Sequence, residues 1–504
     1  MTPSYYNLAY DICDRHAHHH HHKSWAALYW ENEAGKKIQL KFEQVSRLSN
    51  RFANLLASLT LKKDARILFH LPNIPFFQIA FLSCLKSRIL PIPTSTQLTE
   101  PELEAILQDS EAKVVLTHAT QIKKFIPLQP YLDHILVLES PHTDFPSAQY
   151  HRIEDLLKNS SQNFNISPTH PNDPAFILYT SGASGKSKGV LHAHRSIPAH
   201  DERIEKWHGL KSRQVIFNTS PLNWSYALTS NFLDAWRHGI TTLTYDGNLT
   251  VEKIIGLVKR YHVHTFMSVP GIFRRLINHL EQNPISLPHL KVANSAGESL
   301  NPELKEKFLL LTGVFILEGL GMTENSVYIT ERYGEISKPG SCGKPYFPEW
   351  VKILDGEIAI HRNHPGLMLG YLNSKGELEN PFQGDWFLTR DLAYQDEAGY
   401  IFYQGRSDDI FNSGGFKISP LEIENVLNQY PEVQESAVIG KELKPGKTIT
   451  MAYVVYKKSA DDYLQLKKSI LDFCGERLAK YKIPHEIAFV GSLAKTANGK
   501  IKRN

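Results

Sequence analysis

The chain has 504 residues, 42% hydrophobic and 21% charged, with a formal net charge of +4. That length exceeds one core and predicts two or three domains, and so small a net charge excludes the basic profile of a nucleic-acid binder. Four cysteines, Cys13, Cys84, Cys342 and Cys474, lie too far apart for metal-ligand spacing and read as free thiols of a reducing compartment.

Residues 1–15 contain Asp11 and Asp14 and no apolar signal core. The most apolar stretch, Pro75 to Pro93, is broken by Lys86 and Arg88, too early for a membrane span. A cytoplasmic protein with no membrane span is expected. His16 and His18 to His22 form a low-complexity tract; such tracts can bind metal, but no carboxylate or cysteine accompanies it, so it reads first as a solvated loop.

Apolar residues from Phe42 to Leu59 recur at helical spacing, and a strand over 65–71 follows. Helix 100–108, strand 113–117, helix 251–260, an apolar run 265–269, helix 271–281 and strand 291–295 continue an alternation that argues for parallel sheets with helical crossovers. After Gly334 the texture turns Gly- and Pro-rich, and residues 386–394 and 400–403 flank a turn as a hairpin. Residues 405–415 read as a linker. Beyond it, helix 419–429, strands 434–439 and 448–456, helix 462–480 and strand 485–490 predict a small α+β domain. The expected fold is α/β: a large first domain, 1–405, of layered, mostly parallel sheets with a β-rich part, then a small mobile α+β domain, 406–504.

Five polar stretches punctuate these elements. Tyr179 to Gly189 follows an apolar strand and packs three glycines, the hydroxyls of Thr180, Ser181 and Ser184, and two lysines into ten residues. Glycine there lets backbone N–H groups approach phosphate oxygens, and lysine supplies a point charge. A Walker A loop is excluded, because the glycine it needs six before Lys186 is Thr180. Ala296 to Ser299 and Gly319 to Glu324 each follow a strand, where ligand loops of α/β sheets lie. Thr323 beside Glu324 suits Mg²⁺ near a triphosphate, but read alone is more often a helix N-terminal cap. Asp391 and Arg406 read alone as a surface ion pair, and Lys500 alone as a flexible terminal lysine.

In this order and spacing, the stretches resemble the motifs of the adenylate-forming superfamily, which includes acyl-CoA synthetases, luciferases and peptide-synthetase adenylation domains. Tyr179 to Gly189 is similar to its phosphate loop, with Ala183 and Ser187 departing from a hydroxyl residue and a proline. The resemblance implies nucleotide binding by Thr180, Ser181, Gly182, Ser184, Gly185 and Lys188, by Gly297, Glu298 and Ser299, and by Glu318, Gly319, Leu320, Gly321, Met322 and Thr323. It implies Mg²⁺ at Thr323 and Glu324, with Leu320 replacing a tyrosine that stacks on adenine. Thr389-Arg390-Asp391 matches Thr-Gly-Asp, and Gly405 to Asp409 matches Gly-Arg-x-Asp-Asp. Asp391 and Arg406 would then bind the ribose, and Asp408 would be the interdomain hinge. Lys495 to Lys500 matches the terminal motif, with Ala494 for proline, and gives Lys500 the catalytic role alongside Lys188 and Glu324.

The implied reaction joins ATP to a small-molecule carboxylate, with Mg²⁺, giving acyl-AMP and pyrophosphate. A thiol, that of coenzyme A, then displaces AMP. Gly414, Gly415 and Lys417 would line the thiol's path. Transfer to a separate acyl carrier protein, an oxidative fate, and a regulator that has lost catalysis remain the alternatives. In the resembling acetyl-CoA synthetases a tryptophan closes the acyl pocket where Gly321 stands here, so a roomier pocket walled by Trp224 and Tyr226 is expected. A monocarboxylate larger than acetate, medium-chain or aromatic, follows.

Overall fold

The computed structural model describes residues 5–140, 145, 147–181, 187–373, 377–413, 416–431, 433–444, 447–457, 463–495 and 501. The chain forms two compact units: Met1–Gly297 with Glu306–Ile336 and Asn363–Pro381, and Glu298–Lys305 with Ser337–Arg362 and Phe382–Asn504.

In the first unit, Val292–Ala296, Thr265–Ser268, Val215–Asn218, Thr241–Asp246 and Ala26–Asn32 lie side by side in one parallel sheet, preceded by Phe315–Met322. Antiparallel strands flank this run, Ser326–Thr330 beside Phe315–Met322 and Lys37–Lys41 beside Ala26–Asn32. The inner strands are buried along their length, as strands covered on both faces must be. A second, all-parallel sheet runs Leu90–Pro93, Arg66–His70, Val114–His118, His134–Leu138, Tyr150–Arg152. A third is antiparallel, in the order Leu378–Glu379, Gly370–Leu372, Ser187–Ala193, Pro174–Ser181. The crossover helices bury one stripe each; Val251–Arg260 buries Ile254, Ile255, Leu257 and Val258, and Thr250 caps it by accepting the Lys253 N–H at 3.2 Å.

The second unit holds an antiparallel sheet of Val351–Leu354, Glu357–His361, Trp386–Gln395 and Ile401–Arg406. A three-stranded sheet, Val433–Lys444, Lys447–Tyr456 and Glu486–Phe489, packs with helices Pro420–Leu427 and Tyr463–Gly475 around Ile418, Ile423, Leu427, Val438, Val454 and Ile470.

Three expectations change. Residues 405–415 are not a plain linker: Gly405 and Arg406 complete a strand, and Phe411–Ser413 pairs with Phe416–Ile418. The helix expected over 462–480 ends at Gly475 and gives way to a short turn, Lys480–Lys482. The histidine tract is not uniformly solvated, since His16 is buried against Phe42 and bonds the Arg237 carbonyl at 3.0 Å. Among the described residues no group of three or more His, Cys, Asp or Glu could hold a metal, and no helix is long and apolar enough to cross a membrane.

Candidate functional site

In the first unit the site grows from two strand ends. Thr180 pairs with Lys188 and Ser181 with Ser187, so the two strands of one hairpin flank the expected phosphate loop. Gly182, Ser184 and Gly185 lie outside the described residues. Below the loop the hairpin is tightly set: a Cβ at Gly189 would meet the Tyr179 ring at 3.1 Å, and the Tyr179 hydroxyl donates to Asp109 Oδ2 at 2.6 Å. Burial pushes the Asp109 carboxyl up even though that hydrogen bond pulls it down.

The other strand, Phe315–Met322, is twice the length of its apolar core. Its glycine-rich end pairs antiparallel with Ser326–Thr330, with a bulge between Leu320 and Gly321. Thr323 to Asn325 form the turn, so this stretch is a strand end and not a helix cap. Glu318 sits at its root, its N–H donating to Glu331 Oε2 at 2.7 Å. A Cβ at Gly319 would meet Trp207 Cζ2 at 2.6 Å, so only glycine admits the buried indole.

Lys188 and Glu324 meet through a residue that carried no signal in the sequence. Tyr371 donates its hydroxyl to Glu324 Oε1 at 2.6 Å, and the Lys188 ammonium stands 5.0 Å from its ring centroid. The Glu324 carbonyl accepts the Met368 N–H at 2.8 Å, which fixes the turn. Glu324 Oε2 has no hydrogen-bond or ion-pair partner among the described residues. A half-buried carboxylate with one oxygen anchored and one unengaged, beside the Thr323 hydroxyl, fits a hard divalent ion whose remaining ligands are phosphate and water.

Buried polar groups stand behind this turn, and none was singled out from sequence. His192, stacked on Phe176 with centroids 4.7 Å apart, is held neutral by burial, its pKa lowered to about 3 although the Thr323 backbone opposes the shift. Arg203, fully buried, donates to Ser326 Oγ at 3.0 Å and the Val327 carbonyl at 2.9 Å, and pairs with Asp234. Burial would raise the Asp234 carboxyl, but Arg203 and His200 hold it below its ordinary value. Single buried arginines and histidines carry no sequence pattern; only their convergence in space marks them.

Trp224 and Tyr226 lie edge to face, 5.6 Å between centroids. Tyr226 is buried, donates to the Asn294 carbonyl at 3.2 Å, and has its phenol pushed up by burial. Trp224 lies against Gly297, where a φ of +98° and the 2.9 Å at which a Cβ would meet Trp224 Cη2 both require glycine. The room expected at Gly321 is not there on the Cβ side: that atom would meet the Ser326 carbonyl oxygen at 2.5 Å and Val327 Cα at 2.7 Å. The missing side chain at 321 makes way for the neighbouring strand, so the breadth of any acyl pocket rests on the aromatic pair.

In the second unit, Asp391 and Arg406 face each other across a strand pair, Nη1 to Oδ1 3.4 Å. Arg406 also bonds Asp408, Nε to Oδ1 2.8 Å and Nη2 to Oδ2 3.2 Å. Burial would raise Asp408, but its bond to Arg406 holds it low; burial works against the guanidinium, which these carboxylates hold protonated. Glu298 Oε1 accepts the Ile501 N–H at 3.2 Å, while Ser299 is exposed. Lys417 lies exposed on Phe416–Ile418. Gly414, Gly415 and Lys500 lie outside the described residues; Lys495 and Ile501, which bracket the terminal motif, pair as an antiparallel bridge.

The model of the AMP-binding enzyme family matches residues 13–372, and that of the AMP-binding enzyme C-terminal domain matches 422–500. An uncharacterized acyl–CoA ligase of Bacillus subtilis (strain 168), YtcI, is 31% identical over 95% of this chain and 92% of its own. The human mitochondrial acyl-coenzyme A synthetase ACSM3 is 31% identical over 100% of this chain and 89% of its own. The crystal structure of the anthranilate CoA ligase AuaEII in complex with anthranoyl-AMP superposes with a TM-score of 0.85 at 27% identity, covering 99% of this chain and 96% of that one.

Proposed function

We propose that this chain, which belongs to the AMP-binding enzyme family and is an AMP-forming acyl-CoA ligase, activates a medium-chain or aromatic monocarboxylic acid. In the first half-reaction a carboxylate oxygen attacks the α-phosphorus of ATP and pyrophosphate leaves. In the second, the thiol of coenzyme A attacks the acyl carbon of the acyl-adenylate and AMP leaves. Two anions meet in the first step, so the protein's part is charge neutralisation and alignment.

Lys188 and the loop it follows hold the departing phosphates. Glu324 and Thr323 would hold Mg²⁺, which supplies positive charge on the phosphate oxygens. Asp391 and Arg406 hold the ribose, and Lys500 bridges carboxylate and α-phosphate. Gly297 to Ser299 and Glu318 to Met322 border the adenine. The observation that carries the reading is the meeting of Lys188 and Glu324 on one tyrosine, from three separated segments of a chain whose motifs all match one family. The division into 1–405 and 406–504 about Asp408 belongs to the same reading. It lets Lys500 serve the first step and Gly414, Gly415 and Lys417 the second.

For the acid, the Trp224–Tyr226 pair supports an apolar chain or ring. Residues 222–226 and 319–324 contain no lysine or arginine, so a second carboxylate would lack a partner there. The aromatic substrate named for AuaEII supports the same range. The test is a panel of acetate, butyrate, hexanoate, octanoate and benzoate, scored for pyrophosphate and AMP with and without coenzyme A. Highest kcat/KM for an acid larger than acetate, with AMP release accelerated by coenzyme A, is expected. A preference for acetate overturns the pocket. Adenylate that forms but is discharged only by a carrier protein overturns the choice of acceptor.

A further inference from the structure

Tyr371 lies on the strand Gly370–Leu372, which pairs antiparallel with Ser187–Ala193 in the register Tyr371↔Val190. Directly opposed residues share a face, and so do residues two apart on one strand. Lys188 is two from Val190, so the register itself lays the Tyr371 ring beside the Lys188 stem. The ammonium lies 5.0 Å from the ring centroid, within reach of cation–π attraction. The hydroxyl reaches the other way, to Glu324 Oε1 at 2.6 Å. One half-buried side chain thus contacts both the lysine assigned to phosphate and the carboxylate assigned to metal.

We propose that Tyr371 is a positioning residue for nucleotide and metal. Its hydroxyl fixes Glu324 Oε1 and leaves Oε2 for the metal, and its ring holds the Lys188 ammonium against the same side chain. The assignment rests on the roles given to Lys188 and Glu324 under the proposed function. Without the hydroxyl, the Glu324 carboxylate rotates about its terminal torsions, and ordering it falls to the incoming ion. Without the ring, Lys188 loses its resting contact as well.

Two variants separate these parts. Tyr371→Phe keeps the ring and removes the hydroxyl, and Tyr371→Leu removes both. Calorimetry on the acid-free protein measures ATP binding with Mg²⁺ and with EDTA, and thermal melting checks that each variant is folded. Tyr371→Phe is expected to weaken MgATP binding about tenfold while leaving metal-free ATP binding unchanged, the size seen when a residue orienting a metal ligand is lost. Adenylate formation by this variant should need about tenfold more Mg²⁺, with kcat recovered at saturation. Tyr371→Leu should weaken ATP in both arms. Wild-type MgATP affinity and Mg²⁺ dependence in Tyr371→Phe would overturn the proposal. So would equal weakening with and without Mg²⁺, the mark of a merely structural role. If wild type releases neither pyrophosphate nor AMP with any acid, the proposed function fails while the calorimetric arms still report on Tyr371.

Discussion

Arg390 occupies a left-handed backbone position, φ +63°, between Thr389 and Asp391, where the resembling motif carries glycine. A side chain there costs about 1 kcal/mol, and the Arg390–Asp408 pair at 3.7 Å is solvent-exposed on the arginine side and offsets little of it. Arg390→Gly is therefore expected to stabilise the second unit by up to about 1 kcal/mol in urea unfolding, the relief being partly cancelled by glycine's larger unfolded-state entropy. A loss of that size instead would show that the arginine is held by more than the backbone. Asp234→Asn goes the other way. Removing the carboxylate that pairs with buried Arg203 should cost about 3 kcal/mol or more, read as a drop in the urea midpoint. At this scale the sequence singled out residues that the structure brings together, Lys188 with Glu324 through one tyrosine and Asp391 with Arg406 across a strand pair. It was silent on Tyr371, His192 and Arg203. Gly370-Tyr371-Leu372 has no local pattern; its meaning comes from a register with a strand far away in the chain.

Elements that bury one stripe or two faces were readable, because burial writes a period into the sequence. Helix Val251–Arg260 coincides with its apolar repeat. Strand Phe315–Met322 carries an apolar run only to Leu317; its second half is glycine-rich and takes its hydrogen bonds from Ser326–Thr330 rather than from propensity, which leaves no period to read. The same holds for Phe411–Ser413, hidden in a polar, glycine-rich run. Ser187–Ala193 is the interior strand on which the site depends most, bonded on one side to Pro174–Ser181 and on the other to Gly370–Leu372. Val190→Pro removes an N–H from the middle of that ladder and should cost about 3 kcal/mol or more. Its signature is loss of ATP binding by calorimetry, with the second unit's unfolding transition unchanged. Retained ATP affinity would mean that the hairpin does not set the phosphate loop.

Across the molecule, seven histidines, His16, His70, His192, His194, His200, His208 and His364, are buried with pKa values lowered by burial to about 3 or 4. All seven belong to the first unit. The sign follows from proton counting. Above the ordinary value of 6.5 neither state is protonated and stability is fully present. As pH falls below it, the unfolded chain takes up protons that the folded one refuses, so stability drops until the folded values are reached. The first unit's melting temperature should fall steadily from pH 7 to pH 5. A flat profile would mean that these imidazoles charge in the folded state. The proposed hinge gives a second whole-molecule test. Asp408→Pro fixes φ, so adenylate should form while thioester lags; Asp408→Asn, which keeps an acceptor for Arg406 and a free φ, should transfer normally. Equal transfer by both variants would place the hinge elsewhere.

The chain crosses between the two units five times, after Gly297, Lys305, Ile336, Arg362 and Pro381. On the ribosome that interleaving becomes a schedule. Ser187–Ala193 emerges with one edge open, and Gly370–Leu372 follows only after on the order of ten seconds or more of synthesis at about 5–20 residues per second. Between the making of Glu324 and that of Tyr371 the nascent chain has the Lys188 strand and the Glu324 turn but not the tyrosine that joins them. It also carries Glu357–His361 of the second unit, whose partner strand Trp386–Gln395 is still unmade. The newborn protein thus waits with an unpaired strand edge next to its future nucleotide site, an edge open to pairing with a neighbouring chain until Gly370–Leu372 covers it.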